Sequence, residues 1–284
     1  MAEPARSAES KPVSAADSRS QVLRDIVFSE NLGFRPLTLD LHSPSGSDVS
    51  LPTIVFVHGG GWRLGSRRMF VPGLDPAESF GRLTGAGFAV AAIDYRLSGE
   101  SRFPAPVDDV VAAVDWIRRE GGDRGLDASR VLLWGESSGA HLGALAAFRQ
   151  PTWVRGVVDW YGPSDLTTLG AQLLPDSPGT FDDDPSTREA GLLGGAVGSL
   201  PELARAASPA LQVPTDAPPF HIAHGTADAL MPFAQSEELA AALRAAGVDV
   251  EFTAVPGASH FWKGAEDTPS LFDAALRFAT RVTA

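Results

Sequence analysis

Short continuous apolar runs alternate along most of this chain with stretches whose apolar residues recur at helical spacing. The runs Thr53 to Val57, Phe88 to Ile93, Val131 to Trp134, Val154 to Tyr161, Phe220 to His224 and Val250 to Val255 predict strands. The continuous apolar character of Thr53 to Val57 is that of a strand covered on both faces, as in the middle of a mostly parallel sheet. Between the runs lie helical patterns. One ends over Phe80 to Gly87, and another, Pro104 to Arg119, sets Val107, Val110, Val111, Val114 and Ile117 on one face. Asp108 and Asp109 fall in the first turn of that helix, where its dipole favours negative charge. Leu142 to Phe148, Gln235 to Ala246 and Ser270 to Val282 complete the helical set, and Gly121 to Ala128 reads as a loop. Ahead of all these, Leu23 to Phe28 and Leu37 to His42 predict a hairpin with one face exposed, the second strand alternating Leu37, Leu39 and Leu41 against polar neighbours. The βαβ rhythm predicts an α/β architecture with a central, mostly parallel sheet of about eight strands flanked by helices.

The rhythm breaks between Asp165 and Leu211, where Pro175, Pro178, Pro185, Pro201 and Pro209 divide short helical pieces such as Arg188 to Leu193. Irregular chain of that length between strands of one domain predicts a cap-like insertion. Asp182, Asp183 and Asp184 lie within it. Without the alternating ligands and glycine of a calcium loop they read as a solvated acidic turn, and no metal site is expected. Residues 1–20 are rich in Ala, Ser, Glu and Pro and hold no apolar segment, so they predict a disordered leader before a single domain over 21–284.

Composition narrows the partners. With 35 acidic against 23 basic residues the net charge is −12, which disfavours nucleic acid and anionic membrane surfaces. No run reaches the roughly 18 apolar residues of a membrane span. The chain has no cysteine, which removes disulfides, thiolate metal sites and a cysteine nucleophile together. A cytoplasmic enzyme is the expectation, and the sequence leaves its oligomeric state open.

Candidate chemistry centres on Gly135-Glu136-Ser137-Ser138-Gly139, a G-x-S-x-G turn set between a strand and a helix. Such a turn holds the serine on a strained backbone with its Oγ above the sheet. The amide of Ser138, at the helix N-terminus, can face the anion formed when Ser137 attacks a carbonyl. His58-Gly59-Gly60-Gly61-Trp62 follows an earlier strand, and its glycine N–H groups can point into the same space above the carboxyl edge of the sheet. Arg63, Arg67 and Arg68 stand nearby, but the spacing of a phosphate-binding loop is absent.

A serine hydroxyl needs a base. Of the 6 histidines, His260 lies in a loop directly after a strand and thus at the same edge as Ser137. His42, His58, His141, His221 and His224 fit structural positions better. Asp228, on the loop after the preceding strand, is the candidate carboxylate to orient His260, with Asp165 and Asp159 as alternatives. The chain order Ser137, Asp228, His260 is that of α/β-hydrolases.

The segments HGGGW at 58–62, DYRLS at 94–98, GESSGAH at 135–141, YGPSDL at 161–166, HGTAD at 224–228 and GASH at 257–260 together resemble the α/β-hydrolase superfamily. More narrowly, the chain is similar to its hormone-sensitive-lipase-like serine esterases and their feruloyl-esterase- and formamidase-like relatives. The resemblance covers about 37–280. It implies an α/β-hydrolase fold, a Ser137, His260, Asp228 triad, and an oxyanion hole from the amides of Ser138 and the loop Gly59, Gly60 and Gly61. It implies a cofactor-free carboxylic ester hydrolase acting through an acyl-enzyme on a small-molecule ester. Amide or formamide hydrolysis, or a non-hydrolytic biosynthetic step, would use the same residues. A ligand-binding receptor on this scaffold would typically lack a triad member. Trp62, Tyr161, Phe261 and Trp262 flank the expected site as candidate pocket walls.

Overall fold

A computed structural model describes residues 20–47, 49–173 and 178–284. The leader expected over 1–20 lies outside them except for Ser20. In chain order the elements are β1 (Ser20–Ser29), β2 (Leu37–Pro44), β3 (Leu51–Val57), α1 (Pro76–Gly85), β4 (Ala89–Ile93), α2 (Ala105–Glu120), β5 (Leu126–Glu136), α3 (Ser138–Arg149) and β6 (Val154–Trp160). There follow α4 (Leu169–Leu173), α5 (Pro178–Asp182), α6 (Arg188–Leu193), α7 (Pro201–Ala206), β7 (Phe220–Gly225), α8 (Phe233–Ala245), β8 (Val250–Val255) and α9 (Thr268–Val282).

The strands form one sheet in the order β1-β2-β4-β3-β5-β6-β7-β8. Only the pairs β1/β2 and β2/β4 are antiparallel; from β4 to β8 every ladder is parallel. Alternation along the strands sorts the core into halves on the opposite faces. Val55, Val57, Val131 and Leu133 face α2 and α3, joining Val107, Val110, Val114 and Leu142. Ile54, Phe56, Leu132 and Trp134 face the other way, joining Phe80 and Leu83 of α1 and Phe272 and Phe278 of α9. Strands covered on both faces can be apolar at every position, which is why their runs are continuous.

The terminal hairpin departs from the expectation of one exposed face. In β1 most side chains on both faces are exposed, including Val22, Leu23 and Val27, because it is an edge strand and its register with β2 shifts between Leu23 and Ile26. The loop expected over Gly121 to Ala128 is shorter than the sequence suggests. A single 3₁₀ turn spans Gly122–Arg124, and β5 begins at Leu126, opposite Leu51. Asp127, Ser129 and Arg130 disguised this end of the strand, since Asp127 accepts from both Ser129 and Arg130.

Asp109 also has a different role from the dipole partner its position suggested. It is buried and binds the Arg96 guanidinium, with Nη2 to Oδ1 at 2.6 Å, and the Arg96 backbone N–H at 2.8 Å. Asp108, by contrast, stays exposed against Arg149. The segment between β6 and β7 contains α4 to α7. Asp183 is exposed there, while Asp182 is half-buried, so the acidic turn is only partly solvated. Among the described residues no helix is long and apolar enough to cross a membrane.

Candidate active site

The parallel order brings the carboxyl ends of β3, β5, β7 and β8 to one edge, and each is followed by a loop bearing candidate residues. Ser137 sits between β5 and α3 at φ 52° and ψ −123°, a conformation that a side chain adopts only under strain. The crossing is tight. A Cβ on Gly139 would lie 2.0 Å from the Val57 carbonyl oxygen, so α3 can begin against β3 only with glycine there.

His260, in a 3₁₀ turn after β8, places Nε2 3.1 Å from Ser137 Oγ and Nδ1 2.5 Å from Asp228 Oδ2. All three side chains are buried. Asp228 is well supplied with donors: the Leu230 and Met231 amides at 2.8 and 2.9 Å on Oδ1, and His224 Nε2 at 3.2 Å on Oδ2. Burial opposes its charge, but hydrogen bonds from His224 and His260 outweigh it and hold the carboxyl below the usual range. His224 Nε2 also meets the Met231 carbonyl oxygen, so this nitrogen carries the proton and Nδ1 accepts from Ser236. The alternative carboxylates do not reach His260. Asp159 accepts the Gly162 amide and burial raises its pKa to about 6, while Asp165 accepts from Thr167.

The glycine loop divides its amides. Gly59 donates its N–H to Glu136 Oε1 at 2.8 Å, so this amide is committed and does not face an anion, contrary to the expectation for it. The N–H groups of Gly60, Gly61 and Ser138 have no acceptor among the described residues. His58 donates from Nδ1 to the Gly59 carbonyl at 2.7 Å and stacks on Tyr95, whose hydroxyl donates to the His58 carbonyl. Burial pushes His58 down to about 4, which keeps it neutral. The loop is therefore held by Glu136 and Tyr95, which the sequence marked only as members of motifs.

Burial raises Glu136 to about 7, with the Gly59 amide working in the opposite direction. Its Oε2 and the Tyr161 hydroxyl are both buried and bear on one another's ionisation, Tyr161 lowering the Glu136 pKa, and burial together with Glu136 raising that of Tyr161. The candidate pocket residues separate into two kinds. Trp62 is 1% exposed and donates its indole N–H to His141 Nδ1, so it braces the loop instead of lining a cavity. Since indole only donates, His141 is protonated on Nε2, which donates to the Ala207 carbonyl at 2.7 Å and ties α3 to the insertion. Tyr161 is fully buried, its ring 4.5 Å from that of His260. Phe261 and Trp262 do line space. With Pro72, Leu74 and His260 they border a depression of about 400 Å³.

Comparison with known proteins identifies the family and relatives of the chain. The BD-FAE family model matches residues 39–243. Esterase LipQ of Mycobacterium tuberculosis is 33% identical over 222 residues, 74% of this chain and 50% of that protein. Esterase LipC of the same organism is 30% identical over 74% of this chain and 52% of its own length. The chain thus spans about half the length of these curated relatives. Among solved structures, a truncated form of a carbohydrate esterase from gut microbiota superposes with a TM-score of 0.81 at 27% identity, covering 95% of this chain and 98% of that one. A bacterial heroin esterase shares the fold with a TM-score of 0.72 at 24% identity, over 94% of this chain and 86% of its own.

Proposed function

Because the chain belongs to the BD-FAE family, within the α/β-hydrolase fold, we propose that it is a serine hydrolase that cleaves carboxylic esters through Ser137, His260 and Asp228. The observation that carries the reading is the unbroken hydrogen-bonded chain from Asp228 through His260 to Ser137 beside three uncommitted amides. His260 takes the Ser137 proton as Oγ attacks the ester carbonyl, and Asp228 holds the tautomer that leaves Nε2 free to accept it. The amides of Gly60, Gly61 and Ser138 receive the oxyanion. Such preorganised donors act in the transition state, where the charge develops. His260 then gives the proton to the departing alkoxide. In the second half it activates water against the acyl-enzyme, and Ser137 is restored as the acid leaves. The scheme draws on protein groups and water alone.

The relatives named as esterases support ester over other acyl substrates, and the carbohydrate esterase directs attention to acylated sugars. The test is hydrolysis of 4-nitrophenyl acetate and of acetylated sugars by the wild type and by Ser137→Ala. We expect release of acid by the wild type, none above background by a folded Ser137→Ala, and a fluorophosphonate adduct at Ser137. An adduct at Ser138 or Ser259, or full activity in the Ala variant, removes Ser137 from the reaction.

A further inference from the structure

The insertion carries one cation over the site that the scheme above leaves unused. Arg188 opens α6, and its aliphatic stem lies on the glycine loop, where a Cβ added to Gly61 would meet Arg188 Cδ at 2.7 Å. Its Nη2 extends to the Leu230 carbonyl oxygen at 3.5 Å, beside the loop that carries Asp228. The side chain therefore bridges from the loop holding the Gly60 and Gly61 amides to the loop holding the acid, and 31% of it is open to solvent.

Arg63, Arg67 and Arg96 each hold short, defined partners. Arg63 Nη2 donates to the carbonyls of Ser186 and Thr187, which anchors the chain directly before Arg188. Arg67 binds Asp40 and Asp94, and Arg96 binds Asp109. Among the described residues Arg188 has only the long contact to Leu230 and, 4.0 Å from Nε, one oxygen of Glu189. Glu189 is 1% exposed, and neither of its oxygens has a hydrogen-bond partner among the described residues. Burial raises its pKa, which weakens it as a counter-charge. A guanidinium with spare donors, braced along its stem between the glycine loop and the loop carrying Asp228 and partly open to solvent, matches the planar geometry of a carboxylate. In a chain of net charge −12, an anionic substrate would otherwise meet repulsion.

We propose that Arg188 is a carboxylate-recognising residue at the mouth of the site, and that the preferred esters carry an anionic carboxylate on the part of the substrate facing solvent. The substrate half of this inference rests on the ester-hydrolase reading. The experiment compares kcat/KM for matched pairs, 4-acetoxybenzoate against 4-acetoxybenzamide and 4-nitrophenyl hydrogen adipate against 4-nitrophenyl hexanoate, in wild type, Arg188→Gln and Arg188→Lys. In at least one pair the anionic-to-neutral ratio should fall about tenfold or more in Arg188→Gln, the scale of a lost charge-assisted hydrogen bond. Arg188→Lys should retain part of the ratio, and added salt should lower it in the wild type. Ratios unchanged by Arg188→Gln in both pairs overturn the proposal. Binding of 4-acetoxybenzoate to Ser137→Ala, with and without Arg188→Gln, is measured by calorimetry and needs no turnover. If no ester is hydrolysed, the ester reading falls while this arm still decides: a Kd weakened about tenfold upholds the anion subsite, and an unchanged Kd overturns it.

Discussion

Replacing Glu136 with Gln removes one titration from the centre of the molecule while leaving the volume and an acceptor for Gly59 in place. Glu136 is 3% exposed and accepts the Gly59 amide at 2.8 Å. Burial lifts its carboxyl from 4.5 to about 7. The unfolded chain releases this proton near 4.5, whereas the folded protein keeps it until about 7. The group's contribution to stability is therefore complete below 4.5 and is lost as pH rises through 7. The two values lie about 2.5 pH units apart, and each unit corresponds to about 1.4 kcal/mol, so the wild type should lose about 3 kcal/mol relative to Glu136→Gln across this window. Urea unfolding at closely spaced pH from 4 to 8, extrapolated to water, reads the difference directly. Asp159, raised to about 6 by its own burial, is present in both proteins and cancels. Parallel stability profiles would refute the reasoning, since they would mean that the Glu136 carboxyl ionises as freely in the folded protein as in the unfolded chain.

Asp228→Asn should still fold yet lose about 10⁴ in kcat, because the amide favours the wrong His260 tautomer; retention of most activity would transfer the orienting role elsewhere. Gly60→Ala adds a Cβ 2.3 Å from the Leu64 carbonyl oxygen at φ +114°, so thermal unfolding should show a loss of roughly 1–3 kcal/mol together with a fall in kcat. An unchanged melting temperature would show that the loop relaxes freely. Asp109→Ala strands the Arg96 guanidinium in the interior and should cost roughly 3–5 kcal/mol in urea unfolding. Asp108→Ala, at the exposed neighbour, should stay within about 0.5 kcal/mol, and equal effects at the two positions would contradict the burial argument.

Much of this molecule is written locally. The buried strands are legible because coverage on both faces makes residues 54–57 of β3, 89–93 of β4 and 131–134 of β5 apolar without interruption, and α2 because one face of its 16 residues meets the sheet. Ser137 is legible because strand, glycine turn and helix adjoin within a few residues, so the chemistry of the elbow depends on neighbours in the chain. His260 and Asp228 follow from the rule that loops after parallel strands share one edge. What the sequence could not decide is which polar groups consume one another. Gly59, Gly60 and Gly61 are identical residues in a row, yet only the first meets Glu136, and that contact spans 77 positions of chain. Trp62 reads as a pocket wall until its N–H is found on His141, and Asp109 reads as a dipole partner until Arg96 arrives from another loop. Arg188, one arginine among several, becomes distinctive only when the fold lays its stem on Gly61 and leaves its guanidinium short of partners. Periodicity and turn chemistry act over short stretches and are encoded there. Hydrogen-bond partnership, burial and the pKa values they set are properties of groups that meet only when distant segments close on one another, and so they are decided by the tertiary structure.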